Sequence, residues 1–169
     1  MQKLIWLVEV FYRPEVTDGA AEAIRKAVEE LGISVVEKVW TSSLYRLEGM
    51  LERTSIVRIA RELLTDPISQ KYRLGFPQRP GAWSVQVWYK PGVTDTVAET
   101  TQKAILDLGI NTPVTVATGR CYFFQGKLRE NILVSIARAL LANELIEIFQ
   151  VYQPSRGKKN GDQQSGKRN

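Results

Sequence analysis

Two stretches of this sequence follow one pattern, WLVEVFYRPEVTD at residues 6–18 and WSVQVWYKPGVTD at residues 83–95. They lie 77 positions apart, and the same offset aligns the following residues without a gap as far as position 141. Roughly a third of the aligned pairs are identical, and a gapless alignment of this length indicates a tandem duplication. The sequence therefore predicts two repeats, at residues 1–74 and 83–154, with a linker rich in glycine and proline at 75–82.

Each repeat is predicted to fold in the order βαββαβ. The two quoted stretches are rich in β-branched and aromatic residues and stop at a proline, so each predicts a strand. Asp18 and Asp95 then stand at the N-cap of a helix that should end at Gly32 or Gly109. Two short strands are expected next, at about 35–41 and 44–49 in the first repeat and about 113–118 and 121–126 in the second.

The second half of each repeat predicts another helix and a last strand. Thr54 and Asn131 are expected as N-caps of this helix, Pro67 should end it in the first repeat, and the last strand should cover about 68–74 or 145–152. The predicted fold class is α+β, with antiparallel sheets and helices on one face. Because a repeat of about 75 residues is small for a core of its own, the two are expected to pack as a pseudo-dimer.

The basic character of the chain comes from its last residues. The segment 155–169 contains five basic residues and one acidic residue, and without it the totals of 23 and 18 fall to 18 basic and 17 acidic residues. A segment without apolar residues cannot form a core, so 155–169 is expected to be a solvated, disordered tail. The rest of the chain is nearly neutral and shows no pattern typical of a nucleic-acid-binding face.

Several kinds of chemistry are excluded or disfavoured by composition. There is no histidine, which removes His-dependent catalytic triads and His-ligated metal sites, and Cys121 is the only cysteine. A single cysteine fits a cytoplasmic protein, and the first residues are expected to form a strand rather than a signal peptide. The GxxxxGK string at 161–167 resembles a phosphate-binding loop, but Arg168 follows where Ser or Thr is required. We therefore expect no catalytic residue, no bound cofactor and no metal site.

The acidic pairs, the cysteine and the aromatic residues after it are the remaining candidates for a specific role. The acidic pairs Glu29/Glu30 and Glu144/Glu147 are expected to be solvated charges rather than metal ligands. Cys121 is expected to be a structural thiol. Tyr122 and Phe124 should face the core, whereas Phe123, next to them, is expected to make a buried contact between the repeats or with another subunit.

The second repeat resembles the PurS subunit family of phosphoribosylformylglycinamidine synthase. The resemblance rests on four segments, which are VQVWYKPGVTD (85–95), AILDLG (104–109), VTVATGR (114–120) and LLANELIEIF (140–149). The first repeat is similar to a more diverged member, since it has Ser42-Ser43 where the second has Gly119-Arg120 and Asp66-Pro67 where the second has Asn143-Glu144.

The resemblance implies a bridging role without catalysis. In this family the small subunit joins a synthetase (PurL-type) subunit and a glutaminase (PurQ-type) subunit in the cytoplasm. The assembled enzyme uses ATP, Mg and glutamine to make formylglycinamidine ribonucleotide in purine biosynthesis. Arg120, Phe123 and Asn143 are candidate partner-contact residues under this interpretation, and further self-association is left open.

Two other functions remain as alternatives. A tandem sensor of an amino acid or nucleotide would bind its ligand at the junction of the repeats, but the turns after the first strands lack a glycine-rich or strongly polar pattern. An RNA-binding module would need the basic-Gly-aromatic pattern of such sheets, which the residues around Tyr122 do not supply.

Overall fold

The part of the chain that the structure describes folds into six strands and four helices. In this computed structural model, which describes residues 2–155, the elements are β1 (Leu4–Tyr12), α1 (Gly19–Glu30), β2 (Val36–Gly49), α2 (Arg53–Ile59), β3 (Gln70–Leu74), β4 (Trp83–Tyr89), α3 (Thr96–Asp107), β5 (Val114–Gly126), α4 (Glu130–Ile136) and β6 (Glu147–Tyr152). After α2 and α4 the chain continues through a wider π-helical turn, Ala60–Leu64 and Ala137–Leu141. The predicted tail beyond Ser155 and the GxxxxGK string lie outside the described residues.

The predicted pairs of short strands are each one long strand. β2 has 14 residues and β5 has 13, and neither is interrupted at its midpoint. Both strands are central, since β2 pairs with β1 and β5, and β5 pairs with β2 and β4. Because hydrogen bonds on both sides hold the backbone extended, Ser42-Ser43 and Gly119-Arg120 continue the strand instead of forming a turn. The α+β class is confirmed, with this correction to the strand count.

All six strands form one antiparallel sheet, in the order β3-β1-β2-β5-β4-β6. Each half of this order is one repeat, and the two meet at β2 and β5. In that central ladder Ser43 pairs with Arg120, which is the equivalent position 77 residues later. Thr41 pairs with Tyr122, and Tyr45 pairs with Thr118. Thr118 is the equivalent of Thr41 and Tyr122 is the equivalent of Tyr45, so exchanging the two repeats converts one pair into the other. We infer from this register an approximate twofold axis through Ser43 and Arg120, as the expected pseudo-dimer requires.

The four helices cover one face of the sheet, and each repeat contributes a helix to the other repeat's core. Val28 of α1 is fully buried in a cluster whose other fully buried members include Val85, Phe124 and Ile136 of the second repeat. In return, Ile105 of α3 lies in the cluster built around strands and helix α2 of the first repeat. The two cores are therefore shared between the repeats.

The opposite face carries a smaller apolar cluster and is partly covered by the linker. Its buried residues are Leu44, Ala82, Cys121 and Phe123, none of which belongs to a helix. Ala82 comes from the segment that joins the repeats, so this connection is also part of the packing.

The helix ends agree with the sequence patterns for the first helix of each repeat and differ for the second. Asp18 and Asp95 cap α1 and α3, and Gly32 and Gly109 follow these helices with φ of 81° and 83°. The predicted N-caps Thr54 and Asn131 are wrong, because α2 and α4 begin one residue before them and have no side-chain cap. Buried Leu51 and half-buried Leu128 anchor the chain just before these helices, so packing sets where they begin.

Candidate functional site

Arg120 lies at the centre of the sheet, and its guanidinium forms hydrogen bonds to other residues of the same chain. Its Nη2 donates to Glu147 Oε1 at 2.8 Å and to the Leu141 carbonyl oxygen at 3.1 Å, and its Nε donates to the Tyr122 hydroxyl at 2.8 Å. Burial alone would lower the pKa of the Arg120 guanidinium, but Tyr122 and Glu147 raise it above its usual value. Arg120 therefore joins β5 to the end of the π-helical turn and to β6.

Glu147 is not the solvated charge that the sequence predicted. Its side chain is 8% exposed, and its second carboxylate oxygen, Oε2, accepts from the backbone N–H of Asn143 at 2.8 Å. A buried carboxylate requires a cation or several donors, and here it has both. Glu29, Glu30 and Glu144 are exposed, as expected.

Asn143 shapes the turn that leads into β6. It is exposed, and its side-chain oxygen accepts from the Leu145 amide at 3.1 Å. In the first repeat Asp66 does the same, since its Oδ1 accepts from the amides of Ile68 at 2.7 Å and Ser69 at 3.1 Å. These backbone donors lower the pKa of the Asp66 carboxyl. Both repeats thus use an Asn or Asp side chain to fold this turn.

The two turns expose a large apolar side chain at the same position of each repeat. Ile68 and Leu145, which are 77 residues apart, are each 85% exposed. The turns also lie against the end of the first strand of their repeat, because Arg13 N donates to Ser69 O and Lys90 N donates to Ile146 O. We call these two segments, 66–69 and 143–146, the apolar turns.

Phe123 was expected to make a buried contact either between the repeats or with another subunit, and it makes the contact between the repeats. Its ring is fully buried on the face without helices, opposite Trp40 of β2 in the central ladder. The Arg79 guanidinium of the linker lies 5.2 Å from the centroid of this ring. Phe123 thus holds the two repeats and the linker together.

Arg79 is a functional candidate that the sequence interpretation missed. Its guanidinium also lies 5.6 Å from the Phe11 ring and 5.3 Å from the Trp40 ring, so three aromatic faces surround it. Burial lowers the pKa of the Arg79 guanidinium, and the nearby Glu9 carboxylate opposes this. The available signal was an arginine between two prolines in the linker, but nothing local in the sequence associates it with distant aromatic residues.

A cleft lies beside Arg79, at the end of the sheet where β1 turns into α1. It has a volume of about 460 Å³, and its lining includes the cationic residues Arg13, Arg25, Lys71 and Arg79. Three acidic residues, Glu15, Asp18 and Glu22, also line it. The cleft belongs to the first repeat.

The carboxylate of Asp18 is fully occupied by the fold. Oδ1 accepts from Ala21 N at 2.9 Å, and Oδ2 accepts from Thr41 N at 2.8 Å. In the second repeat Asp95 bonds Ala98 and Thr118 in the same way, at the same 2.9 and 2.8 Å. This pair of contacts fixes the start of each long helix to the adjacent long strand.

The positions of the carboxylates and the burial of the cysteine thiol decide whether the described residues could hold a metal ion or a nucleophile. Within residues 2–155, no group of three or more Cys, Asp or Glu side chains is placed to hold a metal ion. Cys121 is buried, and burial, followed by the Glu9 carboxylate, raises the pKa of its thiol well above the usual range. No helix in this part of the chain is long and apolar enough to cross a membrane.

A comparison with family models finds one family twice along the chain. The family described as PurS, phosphoribosylformylglycinamidine (FGAM) synthase, matches residues 6–77 and again residues 82–153. No curated protein matches the chain. Each family match contains three of the six strands and two of the four helices.

Proposed function

Since the chain belongs to the PurS family of FGAM synthase, with two tandem PurS-like units, we propose that it is a non-catalytic bridging subunit of that enzyme. Its partners in this proposal are a synthetase (PurL-type) subunit and a glutaminase (PurQ-type) subunit in the cytoplasm. ATP, Mg and glutamine are used by the assembly, and this chain binds none of them as a cofactor.

The observation that supports this proposal most is the union of two family units in one sheet. The repeats share both helix-side cores and pair through their longest strands. A chain built in this way presents two similar but non-identical surfaces in a fixed relative position. Such a pair of surfaces suits a subunit that must hold two different proteins together.

The apolar turns are our candidates for the contacts with these partners. Ile68 and Leu145 would lose their exposed apolar area in an assembly, which favours association. Of the three residues expected at an interface, Asn143 lies in one of these turns, whereas Arg120 and Phe123 are engaged within the chain. The surroundings of the two turns differ, because β3 continues with Lys71 where β6 continues with Ile148.

The test is reconstitution of the enzyme from the three chains of one organism. The synthetase and glutaminase subunits are mixed with this chain in the presence of glutamine and Mg-ADP, and complex formation is followed by size-exclusion chromatography with light scattering. Glutamine-dependent turnover is then measured with and without this chain. We expect a ternary complex and a requirement for this chain, whereas assembly and full turnover without it would refute the bridging role.

Variants of the apolar turns test the contact surfaces separately. Ile68→Ser and Leu145→Ser should each weaken binding to a partner while leaving the fold intact, since both side chains are outside the core. Val97→Ser is the matched control, because Val97 is 53% exposed on a different element, α3. Equal binding by all three variants would place the partner contacts elsewhere.

A further inference from the structure

We propose that the cleft of the first repeat is an anion-binding site that takes the phosphate group of a small molecule, held by Arg13, Lys71 and Arg79. This inference goes beyond the bridging function and does not depend on it, because the site is formed by this chain alone. Its volume of about 460 Å³ lies in the range of small-molecule sites, about 300 to 1,000 Å³.

The three cations form no close ion pair in the described part of the chain, although the Glu9 and Asp18 carboxylates act on Arg79 from a greater distance. None of Arg13, Lys71 and Arg79 forms an ion pair with a carboxylate among residues 2–155. Arg13 donates from Nη2 to the Pro67 carbonyl oxygen at 3.1 Å, and the Nε atoms of Arg13 and Arg79 are buried without an acceptor. Because these Nε atoms are buried, an anion in the cleft would accept from the Nη groups of the two arginines and from Lys71 Nζ.

The lining of the cleft contains four cationic and three acidic residues, so its formal charge is +1. Asp18 already accepts hydrogen bonds on both oxygens, and Arg25 is paired with Glu29 at 2.6 Å. Glu15, Glu22 and Lys71 are exposed, so water screens their charges more than that of half-buried Arg79.

Arg79 is positioned before any ligand binds. The rings of Phe11, Trp40 and Phe123 surround its guanidinium at 5.2 to 5.6 Å, which restricts the side chain to one region. A cation that is already ordered loses less entropy when an anion binds.

The second repeat shows that the fold does not require Arg25, Lys71 or Trp40. The positions of Arg25, Lys71 and Trp40 are occupied in the second repeat by Gln102, Ile148 and Ala117. Arg13 is replaced by Lys90, which donates to the Glu144 carbonyl oxygen. Arg79 corresponds to Arg156, which lies outside the described residues. Of the three proposed ligands, only Lys71 is thus replaced by an uncharged residue in the second repeat.

The experiment is a titration of the full chain with inorganic phosphate at constant ionic strength, with sodium chloride as the reference salt. Amide chemical shifts of Thr17, Ala21 and Thr41 report on the cleft. We expect the chemical shifts of these residues to change saturably with phosphate concentration. The phosphate affinity should fall at least about tenfold in both Arg13→Gln and Lys71→Gln. The matched control is Lys90→Gln in the second repeat, which should bind phosphate as the unaltered chain does.

Lys71→Gln keeps the test decisive if Arg13→Gln perturbs the turn. Lys71 is exposed on β3, so its replacement should leave the circular dichroism spectrum and the unfolding midpoint unchanged. Shifts that never saturate, or equal phosphate affinity in Lys71→Gln and the unaltered chain, would overturn the proposal.

Discussion

Ser43 and Arg120 stand at equivalent positions of the two repeats and pair with each other at the centre of the sheet. An antiparallel ladder in which one position meets its own equivalent is what a twofold axis produces. The two side chains nevertheless differ, and their partners differ with them. Arg120 pairs with Glu147, whereas the residue equivalent to Glu147 in the first repeat is Gln70, which accepts from the Asp66 amide.

The Arg120–Glu147 pair is expected to be replaceable only as a unit. Arg120→Ser leaves Glu147 without its cation, and we expect a loss of about 1 to 3 kcal/mol in the free energy of unfolding because the carboxylate is buried. The double variant Arg120→Ser/Glu147→Gln copies the first repeat and should recover part of that loss. Urea denaturation of the single and double variants gives the coupling energy.

Additivity of the two substitutions would contradict this interpretation. It would mean that the 2.8 Å contact between these side chains contributes nothing beyond what each residue contributes alone.

The Asp caps are predicted to contribute equally in the two repeats. Asp18→Ala and Asp95→Ala each remove a helix cap and leave a strand amide, that of Thr41 or Thr118, without its acceptor. We expect each to lower the free energy of unfolding by about 2 to 4 kcal/mol. Glu22→Ala and Glu99→Ala are controls in the same first turns, with expected changes within about 0.5 kcal/mol. A clear difference between the two Asp variants would show that the repeats do not use the contact alike.

The sequence predicted the first helix of each repeat and both of its ends. Asp18 and Asp95, with Gly32 and Gly109 one helix later, delimit α1 and α3 because capping is local chemistry between neighbouring residues. The length of β2 was not predictable in the same way. Whether Ser42-Ser43 forms a turn or continues a strand depends on β1 and β5, which flank it in the sheet.

Buried Glu147 and half-buried Arg79 were the hardest features to predict from the sequence. Glu147 was expected to be a solvated charge because no second acidic cluster accompanies it in the sequence, but Arg120 lies 27 residues away and reaches it through the fold. Arg79 was part of a linker defined only by its glycines and prolines. Its aromatic neighbours Phe11, Trp40 and Phe123 come from three different strands.

Glu9 is expected to make stability depend on pH. It is buried beneath the linker side of the sheet, and burial raises the pKa of its carboxyl, although Arg73 and Arg79 partly oppose this. Because the folded-state pKa lies above the unfolded-state value of about 4.3, the folded state binds the proton more tightly. This contribution to stability is therefore present at low pH and is lost as the pH rises through the folded-state pKa.

Glu9→Gln tests this pH dependence, and Gln86 shows that the substitution fits. Gln86 is the equivalent residue of the second repeat and is 4% exposed. The free energy of unfolding of Glu9→Gln, measured by urea denaturation between pH 5 and 8, should decline less with rising pH than that of the unaltered chain. Parallel pH curves for the two proteins would exclude Glu9 as the titrating group.

Cys121 should be unreactive in the folded protein. Its thiol is buried, and because burial raises its pKa well above the usual range, the thiolate is scarce at pH 8. We expect iodoacetamide to leave the folded chain unmodified and to label it once in urea, as seen by mass spectrometry. Rapid labelling without denaturant would mean that the face covered by the linker opens frequently.

The exchange of helices between the cores leads to a prediction about separated repeats. In a fragment of residues 1–77, Val28 would lose the cluster formed with Val85, Phe124 and Ile136, and β2 would lose its pairing with β5. An unpaired central strand and an uncovered helix face are both unfavourable in water. We therefore expect no folded monomer of this fragment by circular dichroism and light scattering.

Mixing the fragment with residues 82–155 should restore one folded species. The second fragment supplies Val85, Phe124 and Ile136, and it receives Val28 in return, while its own Ile105 completes the core of the first. We expect a one-to-one complex whose stability rises with concentration, because folding is now coupled to association. A folded, monomeric 1–77 fragment would show that the first repeat forms a sufficient core without the second.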